Sequence, residues 1–209
     1  MRKELIFISI SLLALAALVL VSLGVGRYSI SVSAILNYLF TDQPYDPNLP
    51  IVLVNIRLPR IVGAIAVGGA LSISGAAYQG MFRNPMVSPD ILGVTSGAGF
   101  GAALGILLSV PVIIIQAFSF VGGISAVLIA VSISKWIGKA HDRILVLVLS
   151  GMVISSLFGA MLSLLKYVAD PDEKLPAITY WLMGSLASIR MDDLKVVIPI
   201  ILEIGRAHV

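Results

Sequence analysis

The sequence predicts an all-α fold, a polytopic transmembrane helical bundle, and three observations predict it. The 209 residues are 58% hydrophobic and only 12% charged, with a mean hydropathy of +1.04, whereas about a quarter of the residues of a soluble domain are charged. Residues 91–134 carry no charged side chain, more than one helix needs at 1.5 Å per residue to cross roughly 30 Å of hydrocarbon. Arg60 and Arg83 bracket 22 further residues without a charge, one crossing with charged ends. A single transmembrane domain is therefore expected over residues 1–202, with no room for a soluble catalytic head.

The elements follow in order. Met1-Arg2-Lys3 precedes an apolar run from Leu5 to Val25. That run is longer than a signal-peptide core and has no small-x-small site before Arg27, so it reads as a retained first crossing. Residues 27–56 hold an apolar patch at Ile35–Phe40, expected as a short interfacial helix, and turns around Pro44, Pro47 and Pro50. The second crossing is expected over Ile61–Met81. Pro111 divides the uncharged run 91–134 into a third and a fourth. Lys135, Lys139, His141, Asp142 and Arg143 form a polar corner before the fifth, Ile144–Leu165, which Asp170-Pro171-Asp172 ends. Lys174–Ile189 is apolar but broken by Pro176 and Gly184, with Tyr180 and Trp181 suited to headgroups, and reads as an interfacial or partly inserted helix. A sixth crossing is expected to begin near Leu194.

Lys and Arg are densest at Arg2-Lys3, Arg83 and Lys135–Arg143, which mildly favours a cytoplasmic N-terminus in the cytoplasmic membrane. The net charge of +3 comes from basic residues scattered at the flanks of apolar runs rather than gathered in a patch, so nucleic acid is not an expected partner and lipid is. Zero cysteines exclude disulfides and thiolate metal sites. Residues 203–209 interrupt the last apolar run and read like a translated sequencing adapter, so they are expected to be a non-native tail in which Arg206 and His208 carry no function.

Gly97, Gly101 and Gly105, and likewise Ala66, Ala70 and Ser74, repeat every four residues. Small residues at that spacing let helix backbones approach in lipid, so these are generic packing faces or part of a translocation path. Gln79 is the most polar side chain of the second crossing, and either lines a path or hydrogen-bonds a neighbouring helix. Between crossings two and three, Arg83, Asn84 and Pro85 make a turn. Ser88, Pro89 and Asp90 then form a helix start, with a capping hydroxyl, a proline at the first position and an acid at the positive dipole end. No catalytic residue is expected: HExxH, paired intramembrane aspartates and a phosphate-binding glycine loop are all absent from the sequence. No metal-binding set is expected either. The interiors of the first five crossings hold no Asp, Glu, Lys, Arg or His, which argues against an ion-coupled secondary transporter and for an external energy source.

Taken together, Arg57-Leu-Pro-Arg60, Gly69 through Gly75, Gln79, Arg83 through Pro89, Leu92-Gly93, Gly97-Ala98, Leu149-Ser-Gly151 and Trp181 through Leu186 closely resemble the FecCD-type permeases of ATP-driven importers for iron–siderophore complexes, haem and cobalamin. The resemblance implies a type II importer permease with ten helices per subunit, of which this chain holds the first five or six, the segment that docks on the ATPase lying beyond Leu202. It implies a second permease subunit, identical or not, ATPase subunits that use ATP and Mg while this chain binds no cofactor, and an extracytoplasmic substrate-binding protein. Arg57 and Arg60 are then expected to meet acidic residues of that binding protein, although simple headgroup anchoring explains two flanking arginines as well. Asp142, Arg143, Ile144 and Leu145 would fall in the cytoplasmic gate region. The expected cargo is an iron(III)-siderophore or related metal chelate. Cobalamin or haem within the same family, or ATP-independent secondary transport, are the alternatives.

Overall fold

The computed structural model describes residues 2–41, 46–137 and 143–206. Among them every regular element is helical: α1 (Arg2–Gly24), α2 (Val32–Thr41), a π-helical stretch Ile51–Arg57 that runs directly into α3 (Leu58–Phe82), a 3-10 turn Pro89–Leu92, α4 (Val94–Leu107), α5 (Val112–Ile137), α6 (Arg143–Val168), α7 (Lys174–Met183) and α8 (Met191–Arg206). Among the described residues four helices are long and apolar enough to cross a membrane: Arg2–Gly24, Ile51–Phe82, Val112–Ile137 and Ile144–Val168. The chain forms two compact units, residues 1–70 with 186–209, and residues 71–185.

In the first unit α1 buries none of its residues, and Phe7 and Leu13 are 73% and 70% exposed. That is the pattern of a lipid-facing helix, apolar all round. A small core gathers where α2 meets the π-helical stretch, around Ile30, Ile35, Leu49 and Leu53. The second apolar helix begins ten residues before the expected Ile61, at Ile51. Pro59 explains the widened winding. Its ring nitrogen has no proton for the carbonyl four residues back, and the ring crowds that carbonyl, so the chain opens into a π turn in which the Leu58 N–H bonds Leu53 O. Pro59 itself is fully buried. α8 starts at Met191, where the Asp193 carboxylate accepts the Arg190 backbone N–H at 2.9 Å as half of a capping box. α8 is described over 16 residues, with Pro199 inside.

In the second unit α4 and α5 form an antiparallel pair with α6 against both. The 14-residue α4 spans only about 21 Å, so the expected third crossing is corrected to a shorter helix entered through the 3-10 turn. Its core is built of small residues facing large ones: Ala126 and Ala130 of α5 pack with Ile154 and Phe158 of α6 and Phe100 of α4. The Phe100 and Phe158 rings lie 5.6 Å apart, tilted by 54°. α7 closes a second cluster, with Ile178 wholly buried among Ala103, Ile106 and Ala169. Asp170 closes the turn ahead of α7, its Oδ1 accepting the backbone N–H groups of Asp172 and Glu173, and Gly184 ends the helix at φ 70°. The short helix expected from residue 174 is therefore present.

Candidate functional site

Arg57 and Arg60 sit at the junction of the π-helical stretch and α3, and the structure uses them differently. Arg57 is buried, 8% exposed. Its Nη1 donates to the Leu23 carbonyl and its Nη2 to the Tyr28 carbonyl. Leu23 lies in the last turn of α1, where carbonyls have no helical partner and the dipole end is negative, so a guanidinium satisfies both demands. Gly26 lies against it, and a Cβ there would stand 2.8 Å from Arg57 Nη2, so a larger residue would push the guanidinium aside. Arg60 is exposed at the start of α3, and its Nη2 donates to the Ala187 carbonyl at 2.6 Å. Gly63, one turn on, is pressed by Ile189, whose Cδ1 would lie 2.8 Å from an added Cβ.

A cavity of about 900 Å3 opens in the same unit, between the second half of α1 and the first half of α3. Leu15, Leu18, Ile61 and Ile65 are among its apolar walls, and Arg27, Arg57 and Arg60 are its charged lining residues. The sequence did not signal it, since Arg27 shares no helix with the other two arginines.

In the second unit the small-residue stripe of α4 lies against α5. A Cβ on Gly97 would strike the Gly122 carbonyl, one on Gly101 the Phe118 carbonyl, and one on Gly105 would sit 3.2 Å from Ile115 Cα. Gly97 and Gly101 are thus backbone contact points, the closest approach that lipid-embedded helices make. Ser74 is half-buried and its hydroxyl donates to Leu71 O at 3.2 Å along its own helix.

Gln79 reaches the turn that follows it: its Nε2 donates to Pro85 O at 3.0 Å, and its backbone oxygen accepts the Asn84 N–H at 3.1 Å. The turn is further closed by the Met86 N–H on Asn84 Oδ1 at 2.9 Å and by Arg83 at φ 49°. Pro89 opens the 3-10 turn, as its position predicts. The Ser88 hydroxyl makes no cap bond there. The Asp90 carboxylate instead accepts the Thr95 N–H at 3.3 Å, supplying the start of α4. Gly93, at φ 78°, carries the chain from the 3-10 turn into α4. A Cβ on Gly151 of α6 would strike the Ile91 carbonyl. Sequence reading attached no structural role to Gly93 or Gly151, and a glycine directly after a proline-led turn is the signal that would have supplied one.

Val87 and Leu92 of this loop pack with Val127 of α5 and Leu147 and Val148 of α6. The turn Arg83–Pro89 therefore belongs to the end of the unit where α6 begins. Ile144 and Leu145, in the first turn of α6, are exposed at that end by 53% and 59%. Arg143 is the first residue of α6, its side chain outside the described atoms, and Asp142 lies outside the described residues.

A profile of the FecCD transport family matches residues 13–205. The molybdate import system permease protein MolB of Haemophilus influenzae is 41% identical over 186 residues, 87% of this chain and 54% of that relative. The hemin transport system permease protein HmuU of Yersinia pestis is 34% identical over 197 residues, 91% of this chain and 56% of the relative. The cobalamin import system permease protein BtuC of Halobacterium salinarum is 41% identical over 152 residues, covering 72% of this chain and 40% of its own length. A solved structure described as an inward-facing conformation of a putative metal-chelate type ABC transporter superposes with a TM-score of 0.74 at 37% identity, covering 93% of this chain and 57% of the solved one. The chain spans about half the length of the curated relatives it matches.

Proposed function

Because the chain belongs to the FecCD transport family, we propose that it forms membrane-spanning helices of the permease of a binding-protein-dependent ABC importer, and that the cargo is an iron(III)-siderophore or related metal chelate. The observation that carries this is the match along residues 13–205 together with the shared fold of a metal-chelate type transporter. Relatives named for hemin, cobalamin, an iron chelatin and achromobactin support a bulky metal complex as cargo, while the molybdate relative keeps an oxyanion as the competing cargo. On this reading the chain sits in the cytoplasmic membrane with its N-terminus inside, pairs with a second permease, and breaks no covalent bond. Partner ATPases hydrolyse ATP, and a loaded binding protein docks outside.

The geometry refines the docking assignment. Arg57 is buried against two carbonyls, whereas Arg60 is exposed and gives one N–H to the Ala187 carbonyl, so Arg60 is the arginine open to meet a carboxylate and Arg57 holds the corner that presents it. The turn Arg83–Pro89 and the first turn of α6 would then lie together on the cytoplasmic side, facing the gate. The cargo assignment is tested by uptake of radiolabelled ferric siderophore, cobalamin, haem and molybdate in cells lacking their own FecCD-type permeases and supplied with the partner subunits. Saturable uptake of the iron chelate is expected, and uptake of molybdate alone would replace it with the oxyanion.

A further inference from the structure

We propose that the segment from Pro89 to Ser96 is fastened to α6 and moves with it as one part, the hydroxyls of Ser96 and Ser155 being the clasp that holds the start of α4 to the middle of α6. The consequence for a transport cycle rests on the permease reading, whereas the fastening itself is read without cargo. Every contact invoked lies inside the 71–185 unit, so none depends on what surrounds the chain.

Three observations carry it. First, the partners on α6 share one face. Leu147 and Val148 pack with Val87 and Leu92, Gly151 lies under the Ile91 carbonyl, and Ser155 lies behind Gly93. Leu147, Gly151 and Ser155 recur at four-residue steps, a single stripe about 12 Å long. Second, the middle of that stripe is backbone against backbone. A Cβ on Gly151 would strike the Ile91 carbonyl and stand 2.9 Å from Leu92 Cα, and one on Gly93, itself at φ 78°, would stand 3.1 Å from the Ser155 backbone nitrogen. Surfaces in such contact hold no side chain that could change rotamer and let them slide. Third, the Ser96 and Ser155 hydroxyl oxygens are 2.8 Å apart and half-buried, a bond between residues 59 apart in the chain. Ser125, Ser132, Ser156 and Ser163 donate instead to the carbonyl four residues back in their own helices, the local alternative open to any helical serine. Ser96 and Ser155 bond across. One interhelical hydrogen bond in lipid is modest in strength, so this one fixes the register of two surfaces already in backbone contact.

A displacement of the first half of α6 therefore takes the Pro89–Leu92 turn and the start of α4 with it. Within the proposed permease, that turn and Ile144 and Leu145 in the first turn of α6 shift together during the cycle rather than part.

Two measurements test this. Amide hydrogen exchange of the chain in detergent reads the clasp. Ser96→Ala and Ser155→Ala should each speed exchange across residues 91–97 about threefold, the ratio for an interhelical hydrogen bond of average strength in a membrane protein. The double variant should exchange no faster than either, because the two hydroxyls bond each other, and the amides of α1 should not change. Paired substitution, Ser96→Cys with Ser155→Cys, reads the motion in a sequence that has no other cysteine. The 2.8 Å between the hydroxyls puts the introduced thiols within disulfide reach. On the permease assembled with its ATPase and binding protein, the bond should form at the same rate with and without a non-hydrolysable ATP analogue, and the oxidised variant should keep uptake within about twofold of its reduced form, too small a change for a blocked step. Unchanged exchange in the single variants, additive effects in the double variant, or failure of the bond to form would overturn the clasp. Bond formation that depends on the nucleotide, or uptake lost on oxidation and regained on reduction, would overturn the shared motion. Absence of uptake in the unsubstituted chain would count against the permease reading alone, since exchange and bond formation decide the fastening without cargo.

Discussion

Only Leu58 and Pro59 separate Arg57 from Arg60, yet one guanidinium closes a corner of the fold and the other remains exposed. Removing Arg57 takes the guanidinium donor from the Leu23 and Tyr28 carbonyls. Hydrogen bonds from a charged group contribute about 1.5–3 kcal/mol, so Arg57→Gln should lower the unfolding free energy in detergent by up to that order, whereas Arg60→Gln should change it little. Charge reversal separates the roles further: Arg60→Glu should abolish capture of the binding protein while leaving membrane insertion intact, and unchanged capture would remove the docking assignment. The glycines divide in the same way. Gly101→Ala would drive a Cβ into the Phe118 carbonyl and should destabilise by about 1–3 kcal/mol through overpacking. Gly68→Ala enters open space and should be neutral or stabilise by about 0.5–1 kcal/mol through the helix preference of alanine over glycine. Thermal melts of the two variants side by side check both signs. At this scale the sequence was partly legible. The four-residue glycine repeat identifies a close-packed face, but the tie from Gln79 to Pro85 and the burial of Arg57 depend on partners that spacing does not reveal.

Among the elements, α1, α5 and α6 stand close to where hydropathy puts them, because an uninterrupted apolar run leaves the backbone no other way to satisfy its polar groups in lipid. α3 begins earlier than its uncharged stretch, since Arg57 and Arg60 are accommodated within a continuous helix rather than ending it. α4 is shorter than expected because the first residues of the uncharged run, through Gly93, form a 3-10 turn and a left-handed bend. Hydropathy counts those residues as apolar and cannot see that Pro89 and Gly93 keep them out of the helix. The antiparallel pairing of α4 with α5 places Met86 and Val112 at opposite ends of the 71–185 unit, and both side chains are exposed, 88% and 69%. The sequence has no cysteine, so single substitutions report cleanly. With the proposed orientation, an impermeant thiol reagent should label Val112→Cys in intact cells and Met86→Cys only after permeabilisation. The reverse pattern would invert the topology.

At the scale of the whole molecule, apolar surface dominates: α1 has no buried residue, and large side chains such as Phe40, Trp136 and Tyr167 are more than four-fifths exposed. Such surfaces require lipid or further protein around them, which agrees with membership of a family of membrane permeases. The membrane class and the family were legible from composition and from the ordered motifs between Arg57 and Leu186. The cargo was not, because small and apolar residues serve helix packing and a translocation path equally well. The central claim is that these helices provide a passive route powered by other subunits, and uptake into sealed proteoliposomes tests it most directly. With the permease, its ATPase and a loaded binding protein present, labelled cargo should accumulate only while ATP is hydrolysed. Accumulation of the same cargo in vesicles that contain no nucleotide hydrolase would contradict the account.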